Sequence, residues 1–594
     1  MVASTHWLAT AAGMAVLEKG GNAFDAAVAV GFVLQIVEPH LNGPGGEVPV
    51  IGYDAREGAP FVLDGQGPAP AAATLESYTS LGLDLVPGTG LLAACVPGAF
   101  GAWMLLLQRH GTMRPRDVLE YAIGYARDGY PMLASASSAV ESVAGLFRDH
   151  WPTSAEVYLG GGVPAAGARF ANPAIADVYS RILDEAEAAG SDREAQIEAA
   201  RRAWYEGFVA EAIDAYVTGT EVMDTTGEPH RGVLTGEDLA SWRSSQEEPV
   251  TLDFRGLTVC KTGPWGQGPV FLQQLALLDG YDLEGMGAGS ADFIHTVTEA
   301  SKLAFADREA FYGDPRQSEV PLARLLSAEY AAQRRALITG QSSGELRPGA
   351  PAGEQGRLPG YALAAFSQAA GNGAGPYSAR TDAASAGVGE PTAGLGAPEL
   401  GAGDTCHLDV ADRFGNVIAA TPSGGWLHSS PVIPGLGFCL TTRGQMFALT
   451  PGFASSLAPR RRPRTTLSPS LALRDGEPYL GFGTPGGDQQ DQWTLQVFLN
   501  HAVFGMNLQE AIDFPAFHND HMPSSFYPRA AMPRSLSVEA RTDPQVIEEL
   551  RRRGHEMDIR PAWSLGRVSA VARDGGFLYA GANPRGMQGY AAGR

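Results

Sequence analysis

The stretch GAGDTCHLDV, residues 401–410, joins two parts of the chain that differ sharply in composition. The residues before it, from about 340 to 403, are rich in glycine, alanine, proline and serine. The residues after it alternate between apolar and polar side chains, which predicts a β-strand. The sequence therefore predicts a long segment without regular structure that ends at Thr405, where a buried strand begins.

A threonine at this junction can act as a nucleophile if it becomes the first residue of a chain. Its hydroxyl is weakly nucleophilic and needs a base within hydrogen-bond reach. The α-amino group of an N-terminal threonine can be that base, because its reference pKa lies near ~8. We therefore predict self-cleavage of the Asp404–Thr405 bond, after which the flexible segment can move away from the site. The local sequence pattern also allows an alternative interpretation, in which Thr405 is only the first residue of a strand that follows a linker and no cleavage occurs.

The composition is that of a globular protein with an acidic surface. Of its 594 residues, 44% are hydrophobic and 18% are charged, which is enough apolar material for a sizeable core. The formal net charge of -22 disfavours nucleic acids and anionic membranes as partners. The four cysteines form no CxxC pair, so the sequence shows no zinc-ribbon or redox motif.

The N-terminal sequence MVASTHWLAT lacks the basic and continuous apolar regions of a signal peptide. The longest apolar run, around residues 26–37, is too short to span a bilayer and contains Gln35. We expect a cytoplasmic protein, or an exported one if a leader was lost through a wrongly assigned start.

Hydrophobic periodicity predicts a mostly helical first part and a strand-rich last part. The predicted elements are, in order, a helix capped by Thr5 and ending near Lys19, a helix from Asn22 or Asp25, a strand at 48–54, mainly helices over 98–340 with a capping-box variant at Thr235–Asp238, two hairpins with turns at Arg413–Gly415 and Asp475–Gly476, a helix over about 489–504, and a final strand pair.

Several segments resemble the γ-glutamyltransferase family of N-terminal-nucleophile hydrolases. The resemblance covers residues 1–340 and 404–594, and its motifs are GGNAFDAAVAVGF at 20–32, GVLTGEDLASW at 232–242, FADREAFYGDP at 305–315, DTCHLDVADRFGN at 404–416, and LSPSLALRDG followed by FGTPGG within 467–487. It implies an α+β protein with an αββα sandwich that carries out acyl transfer without a cofactor. It also implies a precursor that cuts itself into a large chain, residues 1–404 with a flexible linker at about 340–403, and a small chain, residues 405–594. The two chains would form one intertwined unit.

The same resemblance assigns the reacting groups. Thr405 matches the nucleophile, and Ser423 lies where the family has a threonine that hydrogen-bonds the nucleophile. Gly486 and Gly487 match the glycine pair whose backbone N–H groups form the oxyanion hole. Glycine suits this role because it lets the backbone approach a developing negative charge closely.

The substrate-binding positions depart from the family pattern. Thr465 and Thr466 fall on the serine pair that holds the substrate α-carboxylate, so two hydroxyls are retained. Gln66 replaces the arginine that binds this carboxylate, and a neutral amide cannot form a bidentate ion pair. Gly425 replaces an asparagine, and residues 441–446 offer no clear match to the acidic residue that holds the substrate amino group. These differences predict an altered acyl specificity and weak γ-glutamyl turnover.

Three large polar or aromatic side chains near the predicted site allow more than one interpretation. Trp426, His428 and Arg443 could line a reshaped pocket, or they could pack in the interior or lie on the surface.

Cys406 would be the nucleophile if cleavage fell one residue later. His518 and His521 have a metal-like spacing but form an incomplete set, so we expect no metal. We expect the arginines at 460–462 and 464 to form a solvated turn or an intersubunit contact.

These observations predict a self-processing amidohydrolase or acyltransferase. It would take an acyl group from a small amide or γ-glutamyl-like substrate and pass it to water or an amine. We expect a heterodimer of its own processed chains, with or without further oligomerisation. The alternative is a non-catalytic descendant that binds small amino-acid-like ligands.

Overall fold

The computed structural model describes residues 1–351, 353, 356–371, 405–585 and 588–594. The expected cleavage residue Asp404 and the second half of the expected linker lie outside the described residues.

The strands of the described chain are mostly short. They are β1 (Val2–Ser4), β2 (Val50–Asp54), β3 (Ala59–Asp64), β4 (Tyr130–Pro131), β5 (Arg169–Phe170), β6 (Val222–Met223), β7 (Pro229–His230), β8 (Ser245–Glu247), β9 (Val250–Phe254), β10 (Leu257–Lys261), β11 (Leu408–Ala411), β12 (Val417–Ala420), β13 (Ser470–Arg474), β14 (Glu477–Gly483), β15 (Phe517–His518), β16 (Ser535–Glu539), β17 (Glu556–Arg560), β18 (Ser569–Asp574), β19 (Phe577–Ala582) and β20 (Tyr590–Ala592).

The helices lie mainly before residue 340, as the periodicity predicts. They are α1 (Trp7–Glu18), α2 (Ala23–Val37), α3 (Leu75–Thr79), α4 (Ala99–Arg109), α5 (Pro115–Asp128), α6 (Ala134–Asp149), α7 (Pro152–Leu159), α8 (Pro173–Ala188), α9 (Arg193–Tyr205), α10 (Phe208–Gly219), α11 (Gly236–Ser241), α12 (Gly268–Leu278), α13 (Leu283–Met286), α14 (Ala291–Phe311), α15 (Leu322–Leu325), α16 (Ala328–Arg335), α17 (Gly360–Gly371), α18 (Gln490–Ala502), α19 (Leu508–Asp513) and α20 (Pro544–Arg552), with 3-10 turns at Arg443–Met446 and Gly487–Gln489.

Two antiparallel sheets form the centre of the molecule. One has the strand order β20-β1-β11-β12-β2-β3-β8, and the other has the order β19-β18-β14-β13-β10-β9. Both sheets contain strands from before and after the predicted cut: β11 pairs with β1, β12 pairs with β2, and β13 pairs with β10. Cleavage at residue 405 would therefore leave two chains that share both sheets.

Alternation along β11 and β12 separates two hydrophobic layers. Leu408 and Val410 face the helices packed on the first sheet, whereas Ala411 and Val417 face the second sheet. Side chains of β10, β13, β14 and β18 pack on their other face against α12, α14 and α18. Helices therefore cover the outer face of each sheet, and the expected αββα sandwich is confirmed.

The expected linker begins later than the composition predicts. Residues 342–349 lie along α14, where Lys302 Nζ donates to Ser342 Oγ (2.8 Å) and Gly349 N donates to Asp307 Oδ1 (2.7 Å). Residues 360–371 form α17. The expectation of a structureless segment from residue 340 is therefore wrong for residues 342–349 and 360–371. Their composition is typical of a segment without regular structure, but buried charged side chains on α14 hydrogen-bond to Ser342 and Gly349.

Two other local expectations need correction. His6, not Thr5, caps α1, since the His6 side chain accepts from Leu8 N (3.1 Å), while the Thr5 hydroxyl donates to Glu38 Oε2 (2.6 Å). Arg462 and Arg464 are buried and form ion pairs inside the chain, Arg462 with Asp64 and Arg464 with Glu309 (both 2.9 Å). These two arginines are therefore not part of a solvated turn.

Candidate active site

Thr405 lies three residues before β11 and is fully buried. Its Oγ1 donates a hydrogen bond to Ser423 Oγ at 3.2 Å. Cys406 N donates to Pro422 O (2.9 Å), and Thr5 N donates to His407 O (3.1 Å). The regular strand thus begins at Leu408 rather than at Thr405, although backbone hydrogen bonds extend the ladder toward Thr405. The structure brings the predicted nucleophile and its predicted hydroxyl partner together.

A buried ion pair lies behind Ser423. Arg443 Nη2 donates to Ser423 Oγ (3.1 Å), and Arg443 Nε donates to Glu47 Oε1 (2.6 Å). Glu47 and Ser423 also exchange two backbone hydrogen bonds, of 2.9 and 3.0 Å. Burial raises the pKa of Glu47, and the neighbouring Arg443 charge opposes that rise. The pair holds Ser423 from both its backbone and its side chain.

Sequence reasoning singled out Arg443 but missed Glu47. A carboxylate that follows a glycine-rich turn and opens the apolar stretch VPVIG is a signal for a buried, paired charge. The pairing itself joins residues 396 positions apart, so no local pattern could predict it.

Gly425 occupies a position with no room for a side chain. Its φ is +62°, and a Cβ there would lie 2.8 Å from Gly45 C and Gly46 N. The neighbouring Gly424 has φ +73°, and a Cβ on it would lie 2.4 Å from Glu47 Oε2. The close approach of residues 45–47 therefore leaves no room for a side chain at Gly424 or Gly425.

Gly486 and Gly487 form a turn at the end of β14. The last residue of this strand, Gly483, packs on the ring of His407, where a Cβ would lie 2.2 Å from Cε1. The turn thus follows a strand end that meets the chain two residues from Thr405. Both glycines have left-handed φ values, +126° for Gly486 and +52° for Gly487, and a Cβ on Gly486 would lie 2.2 Å from Trp493 Cζ3. Glycine is required at this turn.

Asp488 holds this turn in place. Its Oδ2 accepts from Ser525 N (2.7 Å) and its Oδ1 from Ser525 Oγ (2.6 Å). Arg308 Nη1 also donates to Asp488 Oδ1, and Gln267 Nε2 donates to Asp488 O (3.3 Å). Sequence reasoning singled out none of these residues. The acidic side chain directly after the glycine pair was the available signal.

Thr465, Thr466 and Gln66 are all buried. Thr465 Oγ1 accepts from Leu467 N (3.3 Å), and Gln66 Nε2 donates to Gly67 O (3.3 Å). Thr466 Oγ1 and Gln66 Oε1 have no hydrogen-bond partner within the described part of the chain. The segments that carry them run side by side, because Ala69 N donates to Arg461 O (2.7 Å). The three side chains are neutral, although the charged Arg464 directly precedes Thr465 and its Nη1 also has no hydrogen-bond partner within the described residues.

Trp426 and His428 are buried, so a surface position for either is excluded. The guanidinium carbon of Arg443 lies 5.5 Å from the Trp426 ring centroid, and the His428 ring lies 5.9 Å from that ring. Burial lowers the pKa of His428 to about 3, so the imidazole is neutral at physiological pH. Trp426 thus borders the Arg443 side of the site, and His428 lies one ring further away.

Cys406 is unsuited to be the nucleophile. Its Sγ donates to Glu38 Oε2 at 3.0 Å, and Glu38 also accepts from Gln588 Nε2 (2.5 Å). Burial, together with the Glu38 charge, raises the pKa of the Cys406 thiol well above its usual value. A protonated, buried thiol is a poor nucleophile, and this disfavours the alternative cut at Cys406.

The spacing of His518 and His521 does not lead to a shared site. His521 Nδ1 accepts from Arg534 N (3.1 Å), and its Nε2 bonds to Glu345 O (3.1 Å). His518 instead lies beside Asp520, with Nε2 3.4 Å from Oδ2. Both ring nitrogens of His521 are engaged, so the pair offers no metal-binding set.

Comparisons with known proteins agree along nearly the whole chain. A family model described as gamma-glutamyltranspeptidase matches residues 9–593. The glutathione hydrolase-like YwrD proenzyme of Bacillus subtilis (strain 168) is 30% identical over 592 residues, 99% of this chain and 97% of that protein.

Solved structures share the fold over the same length. The structure described as LmbA2991HD has a TM-score of 0.90 and 54% identity, covering 100% of this chain and 98% of that one. The cephalosporin acylase from Bacillus halodurans has a TM-score of 0.80 and 28% identity, covering 100% and 95%. The resemblance found in the motifs is confirmed, and the chain belongs to the γ-glutamyltranspeptidase family.

Proposed function

We propose that this chain is a self-processing amidohydrolase or acyltransferase with Thr405 as its nucleophile. In the precursor, Thr405 Oγ attacks the carbonyl carbon of Asp404, and the peptide C–N bond breaks. This step forms an ester on Oγ and frees the α-amine, and water then hydrolyses the ester. The products are a chain ending at Asp404 and a chain beginning at Thr405, and the shared sheets would hold them together.

In the mature enzyme the freed amine acts as the base. It takes the proton from Thr405 Oγ as the oxygen attacks a substrate amide carbon. Backbone N–H groups at Gly486 and Gly487 stabilise the resulting oxyanion. The tetrahedral intermediate collapses when the protonated α-amine of Thr405 gives this proton to the leaving amine, and the C–N bond of the substrate breaks. An acyl ester then remains on Thr405. Water or an amine then attacks that ester and restores the hydroxyl.

Ser423 has a supporting role in this scheme. Its oxygen accepts from the Thr405 hydroxyl, while Arg443 donates to the same oxygen and is itself held by Glu47. Because the ion pair is buried, Ser423 is fixed, and Thr405 Oγ is held in one orientation before substrate arrives.

The acyl group is expected to differ from γ-glutamyl. Gln66 and Thr466 offer a neutral amide and a hydroxyl where an ionic contact to a carboxylate would be needed. The likeness to a protein described as a cephalosporin acylase supports an acyl donor other than a γ-glutamyl compound. We propose a donor whose head is neutral at the Gln66 end of the site.

The observation that carries the proposal is the buried hydrogen bond from Thr405 to Ser423 at the first residue after the expected cut. The test uses three p-nitroanilides of matched chain length: γ-glutamyl, with ammonium and carboxylate; glutaryl, with the carboxylate only; and butyryl, with neither. We expect faster p-nitroaniline release from butyryl than from γ-glutamyl, and none from Thr405→Ala.

Two results would contradict the proposal. If processed wild-type protein releases no p-nitroaniline from any of the three compounds, the proposed enzyme activity is contradicted and the non-catalytic alternative is favoured. If γ-glutamyl is the best of the three, the enzyme stands but the specificity argument fails.

A further inference from the structure

Helix α17 lies before the predicted cut but packs on residues that follow it. Gly360 N donates to Thr450 Oγ1 (3.3 Å), and the Phe366 ring meets the His521 ring edge-on at 5.3 Å. Just before the helix, Arg357 Nη2 donates to Gly452 O (3.2 Å). The helix is thus docked on the future small chain.

Tyr361, in the first turn of α17, connects the helix to a buried charge cluster. Its hydroxyl donates to Glu309 Oε2 (2.5 Å), and the guanidinium carbon of Arg529 lies 4.7 Å from its ring centroid. Although burial opposes ionisation, Arg464 and Arg308 hold the pKa of Glu309 at about 2, so the tyrosine donates to a charged carboxylate. Such charge-assisted hydrogen bonds are stronger than neutral ones.

One branch of this cluster ends at the Gly486–Gly487 turn. Glu309 Oε1 accepts from Arg308 Nη2 (2.8 Å) and pairs with Arg464 (2.9 Å). Arg308 continues to Asp488, the residue directly after Gly487. Arg464 Nη2 also donates to Ser525 Oγ (3.3 Å), which in turn donates to Asp488.

A second branch ends at the turn that carries Arg443. Arg529, packed on the Tyr361 ring, donates through Nη1 to Ser525 O and through Nη2 to Gln445 O, both at 2.5 Å. Gln445 lies in the 3-10 turn Arg443–Met446. Arg529 therefore contacts both Ser525, which holds Asp488 beside the glycine turn, and the 3-10 turn whose Arg443 donates to Ser423.

We propose that Tyr361 is a positioning residue that couples the docked helix α17 to both halves of the catalytic machinery. The inference rests on the proposed function, in which Gly486, Gly487 and Thr405 react with substrate. It implies that α17 stays bound after cleavage and is part of the working enzyme. Removing the hydroxyl loosens Glu309, and through Arg308 and Asp488 it loosens the oxyanion turn.

The test compares processed wild type, Tyr361→Phe and Tyr361→Ala, with Tyr579→Phe as a matched control on the half-exposed strand β19. Hydrogen exchange is followed at residues 443–446 and 486–489. Turnover of butyryl-p-nitroanilide is measured per mole of processed chain. We expect Tyr361→Phe to speed exchange at both turns and to lower kcat by about three- to tenfold, with KM within about twofold. Tyr361→Ala should have larger effects, and Tyr579→Phe should match wild type.

Unchanged exchange at both turns, or an unchanged kcat, would overturn the coupling. A loss shared by kcat and the folded fraction, with exchange faster everywhere, would also overturn it, because a merely structural role predicts that pattern. If processed wild type releases no p-nitroaniline from any of the three anilides, the proposed function fails separately, and exchange at the two turns still decides whether Tyr361 holds them.

Discussion

At the scale of single residues, the oxygen of Ser423 lies between the proposed nucleophile, Thr405, and the Arg443–Glu47 ion pair. It accepts from Thr405 and from Arg443, and both donors are buried. Ser423→Ala would leave a buried guanidinium N–H without this acceptor and let the Thr405 hydroxyl rotate. We expect kcat on butyryl-p-nitroanilide to fall about 10- to 100-fold, as for loss of a hydrogen bond to a charged group.

Ser423→Thr is the matched control, because it keeps the hydroxyl and restores the family's residue. We expect it to retain most of the wild-type rate in the same assay. If Ser423→Ala reacts as fast as wild type, Ser423 does not orient the nucleophile.

At the scale of elements, the turn after β14 joins a strand to the proposed oxyanion site. Gly486→Ala would force a left-handed φ on alanine and push its Cβ into Trp493, which rotates the turn's N–H groups. We expect acylation to slow about 100- to 1,000-fold in single-turnover measurements. Gly505→Ala is the control for backbone strain, since Gly505 also has a positive φ (+70°) but is exposed with open space around it. Equal losses in both variants would contradict the oxyanion role.

Local elements were predictable where the signal lies within a few residues. Asp475 and Gly476 both have positive φ, as the Asp-Gly hairpin turn requires, and Thr235 and Asp238 form the predicted capping box. What the sequence could not provide were partners far apart along the chain, such as Arg443 with Glu47 or Tyr361 with Glu309. Composition was also a poor guide to residues 342–349 and 360–371, because the buried charged residues that hydrogen-bond to Ser342, Gly349 and Tyr361 lie on α14.

At the scale of the whole molecule, the αββα layers bury several histidines in neutral form. Burial lowers the pKa of His6 and of His428 to about 3, against an unfolded value near ~6.5. The unfolded chain therefore binds more protons as the pH falls below the unfolded pKa, so stability is lost from about pH 6.5 downward. Each such histidine should cost about 2 kcal/mol of unfolding free energy between pH 7 and pH 5.

Urea unfolding of the uncut Thr405→Ala protein at pH 7 and pH 5 measures this loss on a single chain. With His428→Gln added, the loss should shrink by about 2 kcal/mol, because glutamine does not titrate. An unchanged pH dependence would mean that His428 gains no proton on unfolding in this range.

The most direct test of the whole account is the identity of the first residue of the small chain. We predict that the 62.3 kDa chain matures into pieces of about 42 and about 20 kDa, estimated from the position of the cut. N-terminal sequencing of the smaller piece should read Thr-Cys-His, and the Thr405→Ala protein should stay a single band. A folded wild-type chain that stays uncut, a different first residue, or cleavage that persists in Thr405→Ala would contradict it.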